Sequence, residues 1–183
     1  GGLATMPRQT RAALRAATRG GELPLIWDAS SCTEGLRTTS ETDTSANPMT
    51  VIDSVEFALT HILPTLPDHA RLESLALHPT CSSTRLGLNA SLVEVAGAVA
   101  ERVPVPEGWG CCAFAGDRGL LHPELTSSAT QQEAADVAAM GATAHASCNR
   151  TCELGMTRAT GQPYRHVLEL LEELPRPAGK GGD

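Results

Sequence analysis

The chain is poor in aromatic residues, 3% of 183 positions, so its core must be built from Leu, Val and Ala. It is also short of basic charge. Fourteen Lys and Arg against twenty-one Asp and Glu leave a net charge of -7, which argues against a nucleic-acid partner that would favour a basic face. No apolar run approaches the roughly 20 residues of a transmembrane helix, so no membrane-spanning segment is expected. The opening G-G-L-A-T-M-P-R lacks the apolar core of a signal peptide, does not start with Met, and reads as an interior cut. No strand–G-x-G-x-x-G–helix pattern occurs, so Gly116 and Gly119 read as turn residues and not as a phosphate loop. No Ser-His-Asp or paired-carboxylate arrangement can be argued from spacing.

What the chain does have is cysteine, six in all. A chain of this size, rich in regular structure, does not need disulfide staples. Cysteines gathered in loops of a cytosolic-looking protein more often bind metal or do redox work. The centre of the pattern is Trp109 to Gly119, W-G-C-C-A-F-A-G-D-R-G, where Cys111 and Cys112 stand side by side between glycines. Neighbouring side chains in a strand point to opposite faces, but a glycine-flanked loop can turn both sulfurs toward one centre. Cys32 and Cys81 precede this loop, and Cys148 and Cys152 follow it.

Along the chain, residues 7–19 read as a helix opened by Pro7 and stopped by Gly20-Gly21. Leu23 to Trp27 reads as a strand that delivers Cys32, and residues 37–47 as a polar linker. Asn47-Pro48 has the form of a helix start, with Ile52, Val55, Leu59, Ile62 and Leu66 on one face and Pro64 ending or kinking the helix. Leu72 to Leu77 is a strand leading to Cys81. Leu88, Leu92, Val95, Val99 and Val103 mark an amphipathic helix. Val103 to Val105, interrupted by proline, suits an edge strand. Residues 126–140 read as a helix ending at Gly141, Ala142 to Ala146 as a weak strand, and Cys152 to Thr160 as a helical turn or two closed by Gly161. Tyr164 to Leu174 forms the face of a last helix, before a Pro- and Gly-rich tail. This alternation predicts an α/β fold with a mostly parallel sheet flanked by helices. Ligands in such sheets gather at the carboxyl ends of the strands, where Cys32, Cys81, Cys111, Cys112 and Cys148 all fall.

The spacing points away from zinc ribbons. Twenty-nine residues separate Cys81 from Cys111 and thirty-five separate Cys112 from Cys148, with no paired C-x-x-C knuckles. Two adjacent thiolates suit a centre larger than one metal ion. The pattern Cys…Cys-Cys…Cys-x-x-x-Cys resembles the cysteine-rich CCG domain of heterodisulfide reductase subunits and glycolate oxidase iron–sulfur subunits. The runs H-P-T-C-S, P-E-G-W-G-C-C-A-F-A-G-D-R-G, H-P-E-L-T, R-T-C-E-L-G-M and A-T-G-Q-P-Y are similar to the C-terminal region of large FAD-linked D-lactate dehydrogenases. The resemblance covers about Leu23 to Leu174.

The resemblance implies two CCG repeats. Residues 1–47 would be the end of a first, truncated repeat plus linker, 48–174 the second repeat, and 175–183 a flexible tail. It implies a 4Fe-4S type cluster held by Cys81, Cys111, Cys112, Cys148 and Cys152, with Cys32 belonging to the first repeat. It implies an electron-transfer part of an FAD-dependent D-lactate or 2-hydroxy-acid dehydrogenase. FAD would sit in a flavin domain or subunit outside this segment, and a quinone or cytochrome would accept the electrons. The expected location is the cytoplasm, or peripherally at the inner face of the membrane. A zinc-binding structural or docking module without redox activity is the alternative, and a thiol–disulfide enzyme using Cys111 and Cys112 a third.

Two positions depart from the CCG pattern. The closing pair is C-x-x-x-C, which leaves open whether Cys148, Cys152 or both ligate. If the stretch is helical, the spacing of four puts both on one face. Ala113 replaces the glycine of the motif, which matters only if its backbone must take a positive φ. His78 and His122, each before a proline, read first as hydrogen-bonded loop histidines, with ligation or proton relay as the sharper reading. His61, His69 and His166 read as surface or packing residues, and Trp109 and Tyr164 as packing over the site. Asp117 and Arg118 either tune the site's charge or dock the flavin part, or else close an ion pair within the loop.

Overall fold

The computed structural model describes residues 2–41 and 46–174, without the side chains of residues 2–8 and 39. Helix α1 (Gly2–Ala17) leads to strand β1 (Leu25–Trp27) and α2 (Ser30–Glu41). Strand β2 (Val51–Asp53) runs straight into α3 (Ser54–Phe57). Next come β3 (Leu72–Leu77), α4 (Cys81–Arg85), α5 (Asn89–Val99) and β4 (Ala100–Arg102). After the double-cysteine loop follow α6 (Arg118–Leu121), α7 (Pro123–Ala129), α8 (Gln131–Met140), β5 (Ala144–Ser147), α9 (Arg150–Thr160), β6 (Tyr164–His166) and α10 (Val167–Glu173).

Every strand pairing is parallel. One sheet has the order β4-β3-β5-β6, and β1 and β2 form a separate pair in register Leu25↔Val51 to Trp27↔Asp53. Parallel neighbours require crossovers, and helices supply them. The fold is therefore α/β with parallel sheets flanked by helices, as the alternating pattern predicts. The central strand β3 is buried along Leu75, Ala76 and Leu77. Helix α5 lays Leu92, Val95, Ala96 and Val99 into the same core, which Val55, Ala58, Ala146, Val167 and Leu171 complete. Among the described residues no helix is long and apolar enough to cross a membrane.

Several elements differ from the sequence pattern, each for a local reason. The expected linker at 37–47 is helical as far as Glu41, because Thr33 and Thr38 return hydrogen bonds to Ala29 O and Glu34 O and Arg37 pairs with Glu56. Residues 42–45 lie outside the described residues, as does the expected tail at 175–183. The helix expected from Asn47-Pro48 starts at Ser54 instead. The β-branched Val51 and Ile52 pair with β1, and Asp53 is the cap, its Oδ1 accepting from Val55 N at 3.0 Å. Before Pro64, which has no N–H for the helix ladder, α3 widens into a π turn over Ala58–Ile62 and ends as a 3-10 turn at Leu63–Thr65.

The edge strand lies at Ala100–Arg102, three residues earlier than expected, because the prolines at 104 and 106 cannot donate to a ladder. Pro104 O still accepts from Leu77 N. The helix expected over 126–140 is two helices meeting at Thr130, whose hydroxyl bonds to Thr126 O. Tyr164 opens a strand, not a helix: β6 pairs with β5, and His166 Nδ1 caps α10 by accepting from Leu168 N.

The β1–β2 pair crosses the boundary drawn at residue 47. Asp53 reinforces that link, since its Oδ2 also accepts from Thr33 Oγ1 of α2 at 3.0 Å. Replacing Asp53 by Ala removes a helix cap and leaves a buried hydroxyl without this partner. The expected loss is about 2 kcal/mol in chemical denaturation.

Candidate metal centre

The carboxyl ends of β3, β4 and β5 place the cysteines. Strand β3 ends at Leu77 and hands over to His78, then to Thr80, which caps α4 with a reciprocal bond to Ser83 and sets Cys81 in the first turn. The chain after β4 carries Cys111 and Cys112. Strand β5 ends at Ser147, with Cys148 next, and Cys152 lies in the first turn of α9.

Three of these residues meet. The ligand atoms of His78, Cys112 and Cys152 lie within 4.8 Å of one another, and all three residues are buried. The two sulfurs are 3.2 Å apart. His78 Nδ1 donates to Glu133 Oε1 at 2.6 Å, so the ring is held and its Nε2 faces the Cys112 sulfur without a nitrogen or oxygen partner. Glu133 is itself buried at 1% exposure. A carboxylate behind a histidine fixes the tautomer that leaves the other ring nitrogen free to bind metal.

The remaining cysteines form an outer group. Cys111 is exposed and Cys81 half-buried, and their sulfurs interact with each other, while Ala113 N donates to Cys111 Sγ at 3.4 Å. Of the adjacent cysteines, Cys112 turns inward to Cys152, while Cys111 stays exposed with Ala113 N donating to its sulfur. Cys148 is buried in the main core, where Ser30 Oγ approaches its sulfur to 3.5 Å, and it remains within electrostatic reach of Cys152. It precedes α9 and does not share a helical face with Cys152, so the argument from a spacing of four does not apply. Cys32 sits exposed in the first turn of α2 and takes no part in the buried trio. From that helix, Ser30 and Ser31 reach the rim instead, Ser31 through Asn149.

The loop closes tightly on α9. Ala113 has φ 53° and Ala115 φ 43°, so the alanine in the glycine position of C-C-G does take the left-handed conformation. The turn brings Phe114 and Cys112 against Gly155 of α9, where an added Cβ would lie 3.3 Å from the ring and 3.6 Å from Cys112 Cβ. On its other side Phe114 presses on Gly119, where a Cβ would come within 2.6 Å. Phe114 is 1% exposed and clusters with the two buried cysteines, so it covers the inner sulfurs.

Charge is divided unevenly among the thiols. The hydrogen bond with Cys152 pulls Cys112 down to about 5, against the effect of burial and with further help from His78. The same bond, with burial, holds the proton on Cys152 and drives its pKa well up. Burial works against the charged form of His78, yet its bonds to Cys112 and Glu133 prevail and raise it to about 9. Burial pushes Cys148 up to about 11. In the metal-free protein these contacts favour a protonated His78 and an ionised Cys112 while Cys152 holds its proton, and a metal at Nε2 would displace the imidazole proton.

Two buried sulfurs and an imidazole nitrogen sharing one space are a donor set for a thiolate-binding metal ion, so the residues can hold one. No protein-family model matches the chain, and no curated protein does. The sequence pattern pointed to the cysteines but undervalued His78 and missed Glu133. The available signal was an acidic residue four before Val137, on the buried face of α8. His122 is a surface residue beside Glu124. Asp117 is the N-terminal residue flanking α6, and Arg118 begins that helix.

Backbone strain and thiol charge set the outcomes expected of variants and of pH. Ala113→Gly should gain about 0.5–1 kcal/mol, because relief of left-handed strain outweighs the added freedom of the unfolded chain. Ala135→Gly, on the exposed face of α8, should lose about 1 kcal/mol in the same denaturation assay. In the metal-free reduced protein, thiolate absorbance at 240 nm should persist down to a midpoint near pH 5 and vanish in Cys112→Ser. Because this folded pKa lies below the unfolded one, its stabilising contribution is present above the unfolded value and is lost as pH falls through about 5. His78 has the opposite sign: its contribution is present below 6.5 and is lost as pH rises through about 9.

Proposed function

We propose that the chain is an electron-transfer module holding an iron–sulfur cluster of the 4Fe-4S type. On this reading it serves an FAD-linked dehydrogenase of D-lactate or a related 2-hydroxy acid. The observation that carries the proposal is the meeting of Cys112 with Cys152 at 3.2 Å, with Cys81 within electrostatic reach of both Cys111 and Cys152. Cys81, Cys111, Cys112 and Cys152 would hold the cluster, with Cys148 close behind Cys152. When bound, such a cluster supplies one-electron transfer.

The chain's own residues shape the surroundings. Phe114 packs against the inner sulfurs and leaves each cysteine only 4% exposed, and the imidazolium of His78, anchored on Glu133, balances thiolate charge in a buried place. Cys111 and Cys81, on the outer side, face the direction from which a partner can approach. FAD belongs to the partner domain or subunit, where hydride chemistry takes place. Electrons leave toward a quinone or cytochrome, on the cytoplasmic side, where thiols stay reduced.

The trio also supports a second reading. His78 Nε2, Cys112 and Cys152 gather within 4.8 Å, and Cys81 would complete the Cys3His set of a structural zinc site. Anaerobic reconstitution with iron and sulfide separates the two. The electron-transfer reading expects iron and acid-labile sulfide in equal amounts and a broad sulfur-to-iron absorption band, lost in Cys111→Ser, Cys112→Ser and Cys152→Ser and kept in Cys32→Ser. Uptake of one zinc and no iron, undiminished in Cys111→Ser, would overturn it.

A further inference from the structure

The geometry points to Cys112 and Cys152 as a peroxide-oxidised disulfide pair, a modification that competes with metal for the same two sulfurs. Their sulfurs already lie 3.2 Å apart, and both side chains sit in one small apolar cluster with Phe114. Forming the bond shortens that contact by about 1.2 Å, the difference from a normal S–S length of about 2.0 Å. The helix packs directly on this cluster at Gly155, where an added Cβ would lie 3.6 Å from Cys112 Cβ, so Cys112 is held close to the helix that carries Cys152. The alternatives are less well placed. Cys111 is exposed and accepts from Ala113 N, while the Cys112 sulfur already has Cys152 as its partner. Cys148 is held among Ser30, Thr80 and the core.

The chemistry closes with hydrogen peroxide as the oxidant, a molecule small enough for a site with 4% exposure at each cysteine. The Cys112 sulfur attacks one peroxide oxygen and the O–O bond breaks. Cys112–SH and H2O2 become Cys112–SOH and water. The Cys152 sulfur then attacks the sulfenic sulfur, the S–O bond breaks, and the Cys152 proton leaves with the hydroxyl as a second water. Two thiols lose two electrons and two hydrogens, and one peroxide gains them. Cys152 is the resolving residue because it is the thiol already in contact.

Disulfide formation does not depend on the proposed function. Its consequence for metal does, because a disulfide removes two of the donors on which that reading rests. Oxidation would release or exclude the metal, and reduction would restore binding.

The test uses the full chain, metal-free and reduced, treated with one equivalent of hydrogen peroxide. Intact mass is expected to fall by two hydrogens, and peptide mapping to find Cys112 linked to Cys152. Cys111→Ser should form the same link. Cys152→Ser should instead accumulate a sulfenic acid at Cys112, trapped by dimedone, which also shows reactivity where the resolving thiol is gone. A link between Cys81 and Cys111, a vicinal link, or an unchanged mass would overturn the proposal. Cobalt(II) then probes the consequence. The oxidised protein should bind at least tenfold more weakly than the reduced one and recover on phosphine treatment. A Cys112–Cys152 disulfide that leaves cobalt binding unchanged would retain the modification, overturn its competition with metal, and remove Cys112 and Cys152 from the metal site.

Discussion

The site depends on one close approach, that of the double-cysteine loop to helix α9. Phe114 and Cys112 pack on the helix at Gly155, where an added Cβ would press the ring at 3.3 Å, and the loop folds back over Phe114 because Gly119 has no side chain. Between them, Ala113 and Ala115 accept left-handed backbone angles that cost an alanine about 1–2 kcal/mol each. That strain is offset by burying a phenylalanine and two cysteines. Without the approach, Cys112 and Cys152 would lie on separate elements, forty residues apart in sequence.

The second organising feature is a buried charge relay without a surface partner. Glu133 on α8 and His78 at the end of β3 are 55 residues apart, yet both are almost free of solvent and joined at 2.6 Å. The Glu133 carboxyl is tolerated in this position because its oxygen is hydrogen-bonded to the His78 ring. The imidazolium in turn lies against a thiolate. The order carboxylate, imidazole, sulfur joins α8, β3 and the loop through polar contact alone. His78 adds to the stabilisation of the Cys112 thiolate, whose main source is the hydrogen bond from Cys152.

Parallel topology is what makes these meetings possible. With the four strands of the larger sheet parallel, the segments after β3, β4 and β5 emerge at one rim, and each brings a sulfur or an imidazole. The rim then sorts its cysteines by depth. Cys112 and Cys152 lie inside, Cys81 and Cys111 toward solvent, and Cys148 is drawn into the apolar core under Ser30 of α2. Chemistry that needs protection and chemistry that needs access are thus placed side by side.

The sequence by itself determined the alternation of helix and strand, the strand Leu72–Leu77, the helix built on Leu92, Val95 and Val99, and the placement of cysteines after strands. Those features are written in hydrophobic period and in loop composition, which are local. Its errors lay where local preference met a distant partner. Val51 and Ile52 looked helical until β1 offered them a ladder, and Tyr164 until β5 did. A polar run at 37–41 stayed helical because Arg37 found Glu56. Tertiary structure alone decided which sulfur faces which, that Ala113 must take a positive φ, and that Glu133 stands behind His78. Each is a contact between residues far apart in the chain, whose geometry is set by packing and leaves no period in the sequence to read.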